Sequence, residues 1–397
     1  MQRNFDPFPL ADRRDQRGTT AVNWEGIAAR LVHDVLRVEP HERVLFSADP
    51  YFGAAALDAM RAEVQRARAI ELATILHWTP QLNTLRLPNG RRADADGDRA
   101  ECEAMRQLFE IADVFILLMN DRRDPRRTLA GGQIEPIVEH WRGRAVHLHW
   151  FHDPMNPDPE HAVNRALDRL YERAILEVDH GELGRRMNEL HRRMVGAELC
   201  LTDARGSELY FRAPAHAHLN YGDASRPRMA TMVAGRDREE EMPAGMLRII
   251  PEPESARGIL KMPVRADGES PHLGRGFDCD PFARDGLAFH FRDGRVESLR
   301  TGGDQAALDA LWAAETGDKD RFGELVLGCN PMLRRVPGST FEPQYGAGAG
   351  VIRLILGDNV LSGGRYVSSF HRWLMLSDAS LHLGSETIVR DGQLVFN

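Results

Sequence analysis

The sequence has 397 residues, of which 42% are hydrophobic and 28% are charged, and its formal net charge is −8. This length predicts two domains, because a single hydrophobic core rarely grows so large. The acidic balance argues against nucleic acid as a partner, since phosphate binding needs a basic surface. No window approaches the roughly 18 apolar residues of a membrane span, and the polar N-terminus lacks the apolar core of a signal peptide. We therefore expect a cytoplasmic protein with no membrane partner.

The first half of the sequence alternates between helical and strand patterns. It follows a polar, aperiodic stretch, residues 1–22, that we interpret as an N-terminal extension. Apolar residues at helical spacing predict helices over 23–38, 54–69, 98–112, 131–143, 158–175 and 181–197, and short apolar runs predict strands over 43–49, 70–76, 113–120 and 144–151. Because strands alternate with helices, we expect an α/β domain over residues 23–190, with a parallel sheet covered on both faces.

The second half has a different rhythm, in which strand pairs predominate. Strand–turn–strand patterns occupy 198–213 and 287–300, further strands are predicted over 350–359 and 368–376, and one helix is predicted over 303–316. The turn of the second pair contains Asp293-Gly294, which favours a tight hairpin. We therefore expect a β-rich, α+β domain over residues 191–397.

Common catalytic signatures are incomplete or absent. The glycines at 346–350 precede a strand rather than the helix that a dinucleotide fingerprint needs, and neither G-x-S-x-G nor H-E-x-x-H occurs. His147, His149 and His152 cluster at the predicted C-terminal end of a parallel strand, where α/β proteins bind ligands. We prefer ordinary polar residues at a strand end, because a motif without structural context is only a hypothesis.

Three segments of the second half are similar to a known family. Residues 321–331 (RFGELVLGCNP) resemble the G-E-x-x-I-G-x-N-P segment of the aminopeptidase T, or leucyl aminopeptidase-like, metallopeptidases. Residues 350–375 resemble that family's G-x-x-H-I-x-x-G-D-N…G-G…H-x-D segment, and residues 242–258 resemble its P-x-G-E segment. A branch of the same fold contains iron-dependent dioxygenases that cleave dihydroxypyridine rings. The resemblance spans residues 23–397, and it implies an aminopeptidase T-like fold and a homodimer.

The resemblance also implies the position of a metal site, from which this sequence departs at three of five places. In the family, two carboxylates, two histidines and an aspartate hold divalent metals. Here Met246 occupies the first glutamate position, Arg353 the first histidine position and Trp373 the aspartate position. The second glutamate and the second histidine are kept, as Glu324 and His371.

The three departures are all hostile to a divalent metal. Methionine is a neutral thioether, arginine is a permanent cation and tryptophan offers only an N–H donor. Two remaining ligands are too few, since even open catalytic sites use three protein ligands. Because Arg353 stands in the apolar run VIRLIL, we expect it to pair bidentately with Glu324 in place of the metal charge. The alternative is that its guanidinium reaches solvent at a strand edge.

These residues support three hypotheses for function. The preferred one is a protein without metal chemistry that binds a peptide or small molecule in a cleft of Met246, Glu324, Arg353, His371 and Trp373, within a specialised biosynthetic pathway. The second is an active hydrolase that holds Zn, Co or Mn with rearranged ligands, for which the spare candidates are His272, Asp278, Asp280, His290, Asp378 and His382. The third is a mononuclear-iron ring-cleaving dioxygenase, which ranks last because Trp373 interrupts the histidine–aspartate pair that it needs.

Overall fold

The structure, a computed structural model, describes residues 22–48, 53–76, 95–118, 140–232, 236–264, 274–339 and 342–396, except residues 154, 157 and 159. Three sequence predictions therefore lie outside the described residues. They are the N-terminal extension except its last residue, most of the predicted helix 131–143, and the spare ligand candidate His272.

The secondary structure of this part of the chain follows in chain order. The helices are α1 (Trp24–Ala29), α2 (Ala54–Arg66), α3 (Ala95–Ile111), α4 (Ala162–Leu176), α5 (His180–Met194), α6 (Arg226–Met229), α7 (Asp280–Arg284) and α8 (Gln305–Ala314), and a π-helical turn, Arg30–Val35, continues α1. The strands are β1 (Arg43–Ala48), β2 (Ile70–Leu76), β3 (Val114–Leu117), β4 (Arg144–Leu148), β5 (Glu198–Thr202), β6 (Glu208–Arg212), β7 (His218–Asn220), β8 (Glu239–Met242), β9 (Met246–Ile249), β10 (Arg257–Lys261), β11 (Gly274–Arg275), β12 (Ala288–Arg292), β13 (Arg295–Arg300), β14 (Phe322–Gly328), β15 (Ile352–Gly357), β16 (His371–Leu376), β17 (Ser380–Leu383), β18 (Glu386–Arg390) and β19 (Gln393–Leu394). Among the described residues, no helix is both long enough and apolar enough to cross a membrane.

A five-stranded parallel sheet forms the centre of the first unit, which consists of the described residues of Met1–Leu176 together with Asp223–Met242. The strand order is β2-β1-β3-β4-β8, and every neighbouring pair is parallel. The central strands β1 and β3 are nearly continuous apolar runs, as expected of strands covered on both faces. The parallel sheet predicted from the alternation of strands and helices is confirmed.

Strand β8 has a sequence, EEEM, that predicts no strand. It nevertheless pairs with β4, with Glu241 opposite His147, and so extends the parallel sheet. Its charged side chains are compensated locally, since the buried Glu240 pairs with Arg228. Residues 223–242 therefore return to the first unit, whereas the sequence analysis placed them in a second domain that begins at residue 191.

A buried ion pair stabilises the start of the parallel sheet. The two Nη atoms of Arg144 donate to the two Oε atoms of Glu42 at 2.7 and 2.6 Å, and both side chains are 4% exposed. Arg226 donates to the same carboxylate. Burial raises the pKa of Glu42, but the hydrogen bonds from Arg144 and Arg226 outweigh it and hold this pKa below its usual range.

Because the pKa of Glu42 is lowered in the folded protein, the free energy of unfolding decreases at acidic pH. The contribution of Glu42 is fully present above the ordinary carboxyl pKa of 4.5 and is lost as the pH falls towards the folded-state pKa. We expect Glu42→Gln to lower the Tm at neutral pH, and the gap between parent and variant to narrow below pH 4.5. Thermal melts across a pH series test this, with exposed Glu25→Gln as the control. A gap that stays constant on acidification would contradict it.

The second unit, Glu177–Gly222 with Pro243–Asn397, contains helix α5 and two antiparallel sheets. Asp179 caps α5 by accepting a hydrogen bond from the N–H of Glu182, and the helix buries Leu183, Met187 and Leu190 at helical spacing. The strand orders are β13-β12-β10-β6-β5-β17-β18-β19 and β11-β16-β15-β14-β9-β7. The antiparallel, β-rich character expected of the second half is therefore present.

Candidate functional site

Four of the five cleft residues lie on one face of three neighbouring strands in the six-stranded sheet. Glu324 of β14 stands in register with Ile355 of β15, and Ile355 stands in register with Trp373 of β16. Arg353 precedes Ile355 by two residues, and His371 precedes Trp373 by two. Because side chains alternate between faces along a strand, all of these side chains point to the same side of the sheet.

Met246, the fifth cleft residue, belongs to the same face. It stands in register with Gly328, four residues after Glu324 on β14. The opposite face is almost entirely aliphatic and supplies core packing, with Leu247, Ile249, Leu325, Leu327, Leu354, Leu356, Leu374 and Leu376. The sheet therefore has one apolar face for packing and one polar face, which contains the five predicted residues and which we call the polar face.

Arg353 and Glu324 form a buried ion pair on the polar face. Nη2 of Arg353 donates to Oε1 of Glu324 at 2.9 Å, and the two side chains are 3% and 1% exposed. Arg353 therefore pairs with Glu324 through this bond, the bidentate geometry stays a prediction, and such burial contradicts the alternative in which the guanidinium reaches solvent. A charge-assisted hydrogen bond of this kind is stronger than one between neutral groups.

Trp373 covers the guanidinium of Arg353. The Cζ atom of Arg353 lies 4.2 Å from the centroid of the indole ring, within the range of a cation–π contact. Such contacts contribute about 2 kcal/mol when the cation is desolvated. Trp373 itself is only half-buried. Its ring therefore lies between the buried ion pair and the more exposed surface of β16.

His371 is fixed by a backbone contact. Its Nδ1 lies 2.7 Å from the carbonyl oxygen of Asp358. Because a carbonyl oxygen only accepts, Nδ1 carries the proton, and in the neutral ring Nε2 is then an acceptor. The imidazole centroid lies 6.2 Å from that of Trp373. The orientation is one that a metal-binding or ligand-binding imidazole commonly has.

The asparagines of the motifs that support the resemblance hold the loops around this face. The buried Asn359 of the LGDN motif donates to the carbonyl oxygen of Gly323 at 2.8 Å and accepts from the N–H of Tyr366 at 2.9 Å. The buried Asn330 of the GCNP motif donates to the carbonyl oxygen of Ala244 at 2.6 Å. These side chains bond to backbone groups of β14 and of the neighbouring loops, so the motifs specify the scaffold as well as the candidate ligand positions.

The residues of the polar face do not fit a divalent metal as they are placed here. Glu324 and His371 stand at the two positions where the resemblance implies a metal ligand and the sequence has one, and the Glu324 carboxylate is bonded to a guanidinium. A dication there would meet a fixed positive charge, and even an open catalytic site uses three protein ligands. Within the described part of the chain, no three His, Cys, Asp or Glu side chains are placed to hold a metal ion.

Three further polar residues on this face, Arg248, His218 and Asn220, were not predicted from the sequence. Arg248 of β9 stands in register with Val326 of β14, which stands in register with Arg353, and His218 of β7 stands in register with Arg248. The Arg248 side chain is buried. The signal was available, because Arg248 is the single charged residue of MLRII just as Arg353 is that of VIRLIL.

The histidines in and after the end of β4 lie in the first unit, each beside a carboxylate. The pairs are His147 Nδ1 with Glu239 at 3.4 Å, His149 Nε2 with Glu241 at 3.1 Å, and His152 Nε2 with Asp168 at 2.9 Å. The first two rings are 3.8 Å apart. These contacts agree with polar residues that are satisfied at a strand end.

The five described spare ligand candidates are dispersed, and none is on the six-stranded sheet. Asp378 pairs with Arg205, His382 contacts Thr202 and Thr387, Asp278 accepts from the N–H of Asp280, and His290 stands opposite Ser298 on β13. They do not replace the ligands that the polar face lacks.

An open groove of about 360 Å³ lies along α5 in the second unit. Its lining includes Gly184, Arg185, Arg192 and Tyr221. Both arginines are largely exposed and pair with glutamates of their own helix, as solvated helix residues commonly do. The groove shares no residue with the polar face, and we do not assign the function to it.

Comparison with solved structures shows which fold this is. The chain is similar to AmpT, an aminopeptidase T from Thermus thermophilus, with 17% sequence identity over 94% of this chain and 99% of that one and a TM-score of 0.61. It is also similar to 2,5-dihydroxypyridine dioxygenase from Pseudomonas putida KT2440, with 15% identity over 96% and 99% of the two chains and a TM-score of 0.60. No protein-family model matches the sequence, and no curated protein matches it significantly. At these identities the comparison establishes a shared fold, and folds host many functions.

Proposed function

We propose that this chain is a ligand-binding protein on the aminopeptidase T-like fold, in which an arginine–glutamate ion pair replaces the metal site. The ligand is a peptide or small molecule that packs against Trp373. The observation that supports this proposal is the buried contact of Arg353 with Glu324, with the indole of Trp373 over the guanidinium.

The chemistry of the guanidinium explains why binding, rather than hydrolysis, is the function that the polar face supports best. A catalytic metal has an open coordination position and lowers the pKa of bound water to about 7. A guanidinium supplies the positive charge but only donates hydrogen bonds. Arg353 can therefore hold or polarise an oxygen atom of a ligand, but it does not generate a hydroxide nucleophile. Met246 and Trp373 add apolar surface on either side of the ion pair.

Metal analysis of the purified protein tests this proposal. The full chain is expressed in medium supplemented with zinc, manganese, cobalt and iron, purified without chelator, and measured by inductively coupled plasma mass spectrometry. We expect far less than one equivalent of any divalent metal, and no peptidase or ring-cleaving activity after metal is added back. Thermal shift with a peptide panel and with dihydroxylated rings then identifies the ligand class.

The variant Glu324→Gln/His371→Ala is the matched control for metal content. If the parent protein contains about one equivalent of zinc, cobalt or manganese and this variant contains none, the result favours the metallohydrolase instead. If the metal that the variant lacks is iron, the result favours the dioxygenase. If the parent protein and the variant contain the same amount of metal, that metal is bound elsewhere and the polar face holds none. The homodimer, the cytoplasmic location and the role in a specialised biosynthetic pathway stay predictions.

A further inference from the structure

We infer that Met375, backed by the main chain at Gly346, limits the ligand group that packs on Trp373 to the size of a single aromatic ring. Met375 is then the residue of the polar face that determines the size of the bound group. This inference rests on the proposed function, because it takes Trp373 as the surface that the ligand contacts. It also assigns a role to the glycine-rich stretch 346–350, which fits no dinucleotide fingerprint.

Met375 is the neighbour of Trp373 on the polar face. The two residues are two positions apart on β16, whose pairing with β15 has no irregularity, so their side chains point to the same side of the sheet. Their Cα atoms are roughly 7 Å apart, a spacing that brings a long methionine side chain beside an indole. Met375 is half-buried, as Trp373 is. Both side chains are therefore accessible to a ligand from the same side.

The main chain at Gly346 lies against Met375 on the side away from Trp373. A Cβ atom on Gly346 would lie 3.2 Å from the sulfur atom of Met375 and 3.1 Å from Cγ1 of Val351, both tighter than ordinary van der Waals contact. Val351 immediately precedes β15, and the register places the start of β15 beside Met375 and its end beside His371. Met375 therefore lies between Trp373 and Gly346.

Main-chain hydrogen bonds hold the segment behind Met375 in place. The N–H of Gly328 donates to the carbonyl oxygen of Val351 at 2.8 Å, and the N–H of Gly350 donates to that of Gly328 at 3.0 Å. A Cβ atom on Gly328, a polar-face position of β14, would overlap the carbonyl oxygen of Gly346, so the segment passes directly over this end of the face. Because this wall is hydrogen-bonded main chain, Met375 cannot retreat from Trp373 in this direction.

His371 limits the space on the other side of Trp373. It precedes Trp373 by two residues on the same face, and its Nδ1 lies 2.7 Å from the carbonyl oxygen of Asp358. The guanidinium of Arg353 already lies over the indole ring. A ligand group on the exposed side of the indole is therefore confined along the strand by an imidazole and a thioether. Methionine adapts its shape readily, but the main chain behind it fixes how much room it can yield.

Two neutral probes that differ by one fused ring test the inference on the full-length protein. Isothermal titration calorimetry compares N-acetyl-phenylalaninamide with N-acetyl-2-naphthylalaninamide. We expect the parent protein to bind the phenyl probe at least tenfold more tightly, since even one methylene in a bounded apolar site changes affinity about 10- to 200-fold. We expect Met375→Ala to bind the naphthyl probe at least as tightly as the phenyl probe, because the truncation makes room for the second ring.

Met262→Ala is the matched control. Met262 is a buried methionine of the same unit that directly follows β10 of the eight-stranded sheet, away from the polar face. Its substitution removes the same atoms and should leave the ratio of the two Kd values unchanged. If Met375→Ala does not fold, Met375→Val, which also shortens the side chain, takes its place.

Three outcomes overturn the inference: a parent protein that binds the naphthyl probe as tightly as the phenyl probe, a Kd ratio that Met375→Ala leaves unchanged, or no binding of either probe. Failure of the proposed function is distinguishable from these outcomes. A stoichiometric dication that is present in the parent and absent from Glu324→Gln/His371→Ala overturns the proposed function whatever the Kd ratio. A metal-free protein whose Kd ratio does not respond to Met375→Ala overturns the inference alone.

Discussion

The triple variant Met246→Glu/Arg353→His/Trp373→Asp is expected to bind one equivalent of Zn²⁺, Mn²⁺ or Fe²⁺, whereas the parent protein binds none at this face. The substitutions replace a thioether, a guanidinium and an indole with three metal ligands on the face that already presents Glu324 and His371. A micromolar Kd corresponds to about 8 kcal/mol of binding free energy. Glu324, His371 and the substituted positions 353 and 373 lie on three neighbouring strands, and four oxygen and nitrogen ligands there should reach at least this affinity.

Two measurements follow the gain of metal binding. Mass spectrometry after dialysis gives the stoichiometry, and thermal melts with and without metal give the stabilisation. The stabilisation should be about 2.7 kcal/mol at a free metal concentration of 100 Kd. The control is the same triple variant with His371→Ala added, which removes one retained ligand and should lose most of the gained affinity.

A triple variant that folds and still binds no divalent metal would contradict the account of the polar face. It would show that the five positions share a face but do not converge on one point. The arginine–glutamate pair would then be an ordinary structural ion pair, and it would carry no information about a former metal site.

Local sequence patterns were sufficient for most elements of the first unit. The apolar run IELATIL predicts a strand over 70–76, and β2 covers Ile70–Leu76. The helical spacing of apolar residues likewise predicts a helix over 98–112, and α3 covers Ala95–Ile111. These signals succeed because burial of one face or both faces imposes a period on a single short segment. The acidic strand β8 carries no such period, and two of its carboxylates pair with histidines of β4 and the residue after it, which lie about 90 residues earlier in the sequence.

The candidate site was predictable only in part. Glu324, Arg353 and His371 could be predicted because the motifs that contain them are short and occur in a fixed order. The structure brings all five expected residues to one face of the sheet. Register between strands is set by long-range pairing, which no single segment encodes. The alignment of Arg248 with Arg353 therefore follows from the pairing of the strands and could not be predicted from the sequence. A lone arginine in an apolar strand is the sequence signal that links them.

Breaking the buried ion pair is expected to cost about 3–5 kcal/mol of unfolding free energy, because one charge is left buried without its partner. Arg353→Met leaves the carboxylate of Glu324 in a place that is 1% exposed, and Glu324→Gln leaves the guanidinium. The double variant Arg353→Met/Glu324→Met should recover most of the loss, since apolar residues of similar volume often replace a buried pair at no net cost. Urea titrations of the four proteins give the coupling free energy.

Arg257→Met is the control for this cycle, because the Arg257–Glu198 pair lies in the same unit with side chains that are 51% and 41% exposed. Its loss should cost no more than about 1 kcal/mol. An Arg353→Met variant as stable as Arg257→Met would mean that the Glu324 charge is already compensated without the guanidinium. If instead the double variant is as stable as the parent, stability does not require the pair. Loss of ligand binding in that double variant would then show that the pair serves the ligand rather than the fold.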